Sequence, residues 1–406
     1  MRKALLLLWC SSLAAADLDQ LLDSHRFFEL RRQLAQPGSE SAETLFYRGV
    51  LECRFGHEDS GIAKLQEVLA TNPSQAVARR SHEEMAEAFK RMGRYRESAE
   101  QLAGALRLTP KDDPEYAGNE NDRLLMDSLS DVAPGTVEFG DAVTVRAIRN
   151  PLGSWNVPVT VNHVQGQWIF DTGANWSTVT ESEARRMGLS VVETKAYVTG
   201  STGAKNRMRL AFAQNLEFSG AHIHNVVLLV LADASLNIAP LHHYQITGIL
   251  GIPVLRSLGS VGISKEGMVR MREGQNHAQG APNFFFDGED PVAEISHDGH
   301  LLQMFVDTGA NATVLYPSFR NAMTGEETQK LHTKRERRAG AGGSIQRRAQ
   351  QIPALRLDFL DKPVDLKKVS IEPEAPPNSH DDGVIGMDAL SGGFRIDFDA
   401  MRLELD

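Results

Sequence analysis

Asp-Thr-Gly-Ala occurs twice in this chain, at Asp171 to Ala174 and at Asp307 to Ala310, 136 residues apart. One such tetrapeptide is ordinary turn chemistry, because Asp and Gly both favour tight turns. The constraint on the fold comes from the surroundings, which repeat as well. Each copy follows a short apolar strand, Trp168-Ile169-Phe170 or Met304-Phe305-Val306, and Val157, Val159 and Val161 alternate ahead of the first. Gly-rich turns follow 29 and 33 residues after the Asp, at Gly200-Ser201-Thr202-Gly203 and Gly340-Ala341-Gly342-Gly343. Apolar-apolar-Gly elements come next: Ile249-Leu250-Gly251 ends 80 residues after Asp171, and Val384-Ile385-Gly386 ends 79 after Asp307. Leu255 and Leu390 each stand four residues beyond that Gly, and period-two patterns close both copies (Val261 and Ile263; Phe394, Ile396 and Phe398). The chain from about Thr136 onward therefore reads as a tandem duplication, with mainly-β lobes expected at 136–275 and 276–406.

These residues resemble the retropepsin-like aspartic proteases, over about two thirds of the chain. Ala174 and Ala310 match the retroviral pattern, and Ser177 and Thr313 place a hydroxyl six residues after each Asp. The resemblance implies an acid-protease fold in which Asp171 and Asp307 form one catalytic dyad. Such a dyad shares one proton, because two carboxylates a few Å apart do not both ionise cheaply. One carboxylate takes a proton from water and the other holds the scissile carbonyl. Thr172, Gly173, Ala174, Thr308, Gly309 and Ala310 are the implied supporting loops, each Thr bonding across the interface and each Gly letting the backbone lie close to the carboxylates. Gly251 and Gly386 are expected to meet the same need from below. Asn175 and Asn311, where retroviral enzymes carry an acid, are candidate substrate contacts, and Gly200, Gly203, Gly340 and Gly342 mark candidate flaps. The implied function is an aspartic endopeptidase acting on a peptide or protein, with no metal and no organic cofactor. A pseudo-twofold monomer is the simplest assembly, and a dimer pairing like lobes stays open. Two other functions remain: a non-catalytic binding scaffold, and a peptidase inactive until residues before about Thr136 are removed.

Residues 17–123 read as helical. Leu45, Gly49, Gly56, Leu65 and Pro73, then Ala86, Phe89, Gly93, Tyr95, Ala105 and Pro110, resemble two tetratricopeptide-like repeats, with Pro73 and Pro110 37 residues apart. Such a region is either a surface for a protein partner or a spacer. Residues 17–36 are expected to supply a capping helix, unless the array packs on the next domain. Residues 124–135 are expected to be a linker, with one short helix from Asp122 to Leu129.

The first 16 residues read as a secretory signal: Arg2 and Lys3, an apolar stretch from Ala4, then Ala14-Ala15-Ala16 before Asp17. The expectation is an exported protein, periplasmic or secreted, of a bacterial envelope. Trp9 before Cys10 argues against a lipid anchor, and loss of Cys10 with the signal would leave Cys53 without a disulfide partner. No segment is long and apolar enough for a spanning helix, and a net charge of −10 disfavours nucleic acid as a partner. His222 and His224 share one strand face but have no counterpart in the second copy, and His242-His243 has no evident third ligand, so neither is read as a metal site. The basic residues from Lys334 to Arg338, with Arg347 and Arg348, are read as a solvated hairpin rather than a patch for acidic substrates or a processing site.

Overall fold

The computed structural model describes residues 18–35, 41–141, 143–199, 205–237, 244–271, 280–340, 343–360, 362–377 and 379–406. The candidate signal with Cys10, the turn residues Gly200, Gly203 and Gly342, and His242-His243 lie outside the described residues; Gly340 lies within them.

Among the described residues a helical stretch at 18–23 comes first, followed by α1 (Phe27–Leu34), α2 (Ala42–Arg54), α3 (Glu58–Ala70), α4 (Gln75–Arg91), α5 (Tyr95–Leu108) and α6 (Tyr116–Ser128). Ser41 and Thr44 form a capping box at the start of α2, and Ser74 caps α4. The chain leaves α2 and α4 through Gly56 (φ 81°) and Gly93 (φ 70°), left-handed positions that suit glycine. A β-carbon added at Gly61 would fall 2.6 Å from the Cys53 nitrogen, so α2 and α3 cross with backbones nearly touching. No helix among the described residues is long and apolar enough to cross a membrane.

The expected linker helix differs from what is found. Helix α6 starts six residues earlier than Asp122, and its Leu125 and Met126, with Leu129 just beyond, are buried against Ala196, Leu210 and Val227 of the first sheet. Segment 124–135 is therefore partly a packed element rather than a free connector. Acidic and Asn residues between its apolar positions gave the segment a loop-like composition, but Leu125 and Leu129 lie on one helix face.

Two large sheets follow, and their pairing patterns correspond except for Thr136–Phe139, an added edge strand in the first. In the nine-stranded sheet, Val164–Phe170 runs parallel to Gly248–Leu250, with Phe170 opposite Leu250. In the eight-stranded sheet, His300–Val306 runs parallel to Gly383–Ile385, with Val306 opposite Ile385. A third short strand, Thr178–Thr180 or Val314–Leu315, pairs antiparallel to each of these Gly-containing strands. Long hairpins, Val191–Thr199 with Lys205–Phe218 and His332–Gly340 with Gly343–Phe359, complete the match. A four-stranded sheet joins the halves: Ser260–Ser264 pairs antiparallel with Gly393–Asp397, placing Val261 opposite Ile396 and Ile263 opposite Phe394. One apolar core runs through both halves and this junction, with the Phe170 and Phe394 rings 6.0 Å apart.

The helices and the second half also share a core. Strand alternation sends Phe284 and Phe286 to one face, where both meet Phe398, and Phe285 to the other. Phe285 is fully buried among Phe27, Phe28 and Phe55, at ring distances of 5.1, 5.4 and 5.7 Å. Ion pairs surround this contact. Arg54 bridges Glu84 and Asp287, Lys90 meets Glu289 at 2.7 Å, and Arg91 donates to the Gly288 carbonyl at 2.7 Å. Burial pushes the Asp287 carboxyl up, but Arg54 and His25 overcome it and hold the group well below the usual carboxylate range.

Candidate active site

Each central strand ends in the same construction. The Asp171 N–H donates to the Leu250 carbonyl (3.1 Å) and the Asp307 N–H to that of Ile385 (3.0 Å), so each Asp starts its loop fixed to the Gly-containing strand. Each loop then turns back on its own carboxylate. Gly173 N–H donates to Asp171 Oδ1 at 2.8 Å; Gly309 and Ala310 N–H donate to Asp307 Oδ1 at 2.8 and 3.0 Å. The loops close through Ile252 N–H to the Ala174 carbonyl (2.9 Å) and Met387 N–H to that of Ala310 (2.8 Å).

The two threonines lock the loops to one another. Thr172 Oγ1 donates to the Val306 carbonyl (2.5 Å) and accepts from the Thr308 N–H (3.0 Å); Thr308 Oγ1 donates to the Phe170 carbonyl (2.9 Å) and accepts from the Thr172 N–H (3.0 Å). Both are fully buried, so every bond is shielded from water.

This lock brings the carboxyls together. A β-carbon at Gly173 would lie 2.7 Å from Asp307 Oδ1, and one at Gly309 would lie 2.5 Å from Asp171 Oδ2. Only glycine permits either approach. Gly251 and Gly386 act differently from the expectation: the atoms they make room for are the backbone of residues 174–177 and of Ala312, not the carboxylates. Ser177 and Thr313, buried hydroxyls, accept from the N–H groups of Gly251 (3.0 Å) and Gly386 (3.2 Å), pinning loop to strand.

The two carboxyls lie close enough to act on one another's proton affinity. Burial first, then the charge of Asp307, pushes Asp171 well above the ordinary carboxylate range, against the pull of the Gly173 and Gly309 N–H groups. Burial also raises Asp307, but the Ala310 and Gly309 N–H groups and the Asp171 carboxyl oppose it. Two buried carboxyls this close hold one proton between them over the range where a lone exposed carboxyl would have lost it.

Asn175 and Asn311 flank the pair and are exposed. Asn175 lies near enough to Asp290 to oppose the rise of its carboxyl, while Asn311 packs against Gly153, where an added β-carbon would stand 3.0 Å from its own. Ser154 and Asp290 were not anticipated. Buried Ser154 donates to the Gly309 carbonyl at 2.7 Å, and Asp290 lies close enough to Asp307 to feel its charge. Each stands 17 residues before its own half's catalytic candidate, a matched offset that a fuller comparison of the two copies would have exposed.

Raised carboxyls, Asp171, Asp290 and Asp381 among them, give a pH dependence of stability. Burial, then Asp287, lifts Asp290 to about 6; burial, then Asp287 and Asp290, lifts Asp381 to about 8. A raised folded-state pKa means stability that is present in acid and lost as pH climbs through it. The melting temperature should therefore fall from about pH 4 to about pH 8. In Asp171→Asn, calorimetry should show a smaller fall, with the gain over the parent widening as pH rises.

A family model described as aspartyl protease matches residues 157–254, the stretch holding the first loop and Gly251. A solved structure of a retropepsin-like aspartic protease from Rickettsia conorii is similar at 20% identity, over 34% of this chain and 94% of that chain, with a TM-score of 0.25. Among curated proteins, none matches significantly. The family match supports an aspartic protease, and hence a peptidase at the level of reaction class.

Proposed function

We propose that this chain is an aspartic endopeptidase in which Asp171 and Asp307 activate one water. The carrying observation is the pair itself: two facing carboxyls, both raised above the ordinary carboxylate range, on loops cross-bonded by Thr172 and Thr308. In the proposed reaction Asp307 removes a proton from water as its oxygen attacks the scissile carbonyl carbon. Asp171 gives its proton to the carbonyl oxygen, leaving a neutral gem-diol. The diol collapses as one hydroxyl returns a proton to Asp171 and Asp307 passes its proton to the amide nitrogen, breaking the C–N bond. Fixed N–H groups on both carboxylates hold their orientation through the cycle.

In this reading residues 136–275 and 276–406 are the two lobes of a pseudo-twofold monomer, and one dyad lies at their junction. Residues 17–123 are a helical, tetratricopeptide-like domain available to a protein partner, and residues 1–16 direct export to a bacterial envelope. The burial of Phe285 among α1 and α2 residues favours a helical region that stays in the active enzyme over one removed as a pro-segment. The test is direct. Purified chain is incubated with a diverse peptide pool from acidic to neutral pH and cleavage is followed by mass spectrometry. Cuts that vanish in the dyad variants support the reading; a parent that cuts nothing sinks it and favours the binding scaffold.

A further inference from the structure

The duplication supplies an internal comparison at the sheet edges. Strand Val191–Thr199 ends the nine-stranded sheet, and its counterpart His332–Gly340 ends the eight-stranded one. Helix α6 covers the first edge. Asn121 Oδ1 accepts from the Tyr197 N–H at 2.8 Å, and Asn121 Nδ2 donates to the Tyr197 carbonyl at 3.1 Å, so one amide pairs both backbone groups as another strand would. Ala196 of the same strand is buried in one cluster with Leu125, Met126 and Leu129. The second edge lacks such a cover. Among the described residues no strand pairs with its outer side, and His332, Thr333, Lys334 and Arg335 are all exposed. An open strand edge presents N–H and C=O groups that another extended backbone matches in kind and in spacing.

The charge of this edge departs from that of the chain. Between His332 and Gln351 lie Lys334, Arg335, Arg337, Arg338, Arg347 and Arg348 with a single acid, Glu336, whereas the whole chain carries −10. Arg335 stands directly opposite Arg348 in the ladder, and both are exposed. Neither has an ion pair among the described residues. Like charges in directly opposed positions weaken a strand pair, so the ribbon carries a repulsion that an added acid would relieve. The same charges hold two copies of this edge apart. The edge therefore rejects itself and accepts a strand of opposite sign.

We propose that the outer side of His332–Gly340, at the end of the strand away from its turn, is a docking edge for an extended acidic segment of another polypeptide, which joins the sheet as a further strand. Backbone pairing supplies the contact, and acids beside Lys334 and Arg335 select the partner. A nucleic acid or an anionic membrane answers the charge but not the backbone, because phosphate groups accept hydrogen bonds and donate none to the open carbonyls. The surface needs neither the dyad nor the endopeptidase reading.

The test uses the full chain carrying Asp171→Asn, so that a probe peptide stays intact. The probe is a labelled, end-blocked peptide of alternating Glu and Val, followed by fluorescence anisotropy. It should bind, less tightly as salt rises, and hydrogen exchange of the amides in 332–335 should slow. Adding Arg335→Glu sets opposite charges in register with Arg348, which preserves the hairpin, and should weaken binding about tenfold. A probe with every backbone nitrogen methylated keeps its charge but has no donors, and it should also bind about tenfold less tightly. Equal binding of the methylated probe overturns strand addition, as does tighter binding of an oligothymidylate or of phosphatidylglycerol vesicles. An unbound Glu–Val probe, or binding untouched by Arg335→Glu, overturns the docking edge itself.

Discussion

If the proposed endopeptidase reading holds, Asp171→Asn and Asp307→Asn should each leave a folded protein that cleaves peptides about 10² to 10⁴ times more slowly than the parent, the span expected when an acid–base group is removed. Asn matches Asp in size and preserves the acceptor oxygen for the Gly173 or Gly309 N–H, so the loops keep their form. What disappears is a movable proton. The two losses arise at different points. In the proposed mechanism Asp307→Asn removes the base that deprotonates water, and Asp171→Asn removes the acid that protonates the carbonyl. Because the carboxyls share one proton, the double variant should be hardly slower than either single one. Steady-state rates on one peptide, with circular dichroism to confirm folding, check this. One single variant with full activity would break the shared-dyad model and point to like lobes pairing between two chains.

Starting the chain at Thr136 should give a protein that does not fold to the active form. Truncation there strips Phe27, Phe28 and Phe55 from Phe285, and leaves Asp287 and Glu289 without Arg54 and Lys90. Burial of a large aromatic side chain is the largest item lost. Phe285→Ala in the full chain isolates it and should cost about 3–5 kcal/mol, since a buried cavity is left in place of the ring. The urea midpoint of unfolding measures that loss. Val191→Ala, an exposed position on the hairpin, is the comparison that should change little. A soluble, active product from the truncated chain would revive the pro-segment reading, because activity would then not need the helices.

The site and its support differ in how far they could be read from residues alone. The Asp171 and Asp307 loops were legible because their chemistry is local. A strand, a turning Asp, a Thr and a Gly lie within a few residues, and the duplication repeats each signal at matched spacing. Strands such as Val157–Val161 were legible for a related reason, since alternating burial leaves a period-two pattern. Helix α6 was partly missed because its apolar stripe is short and sits in polar sequence.

The sequence by itself determined which side chains meet at the catalytic candidates, because a repeated motif must occupy equivalent places in a repeated fold. It also determined that helices precede two β halves. Only the tertiary structure decided that burial raises both carboxyls, because that depends on what covers the two loops. It alone decided that Phe285 enters the helical core and that Asn121 serves as a strand for Tyr197, 76 residues away. Contacts of that kind join segments with no shared periodicity or motif. Their energy comes from the covering of surfaces that local sequence marks only as apolar or polar, without naming the partner.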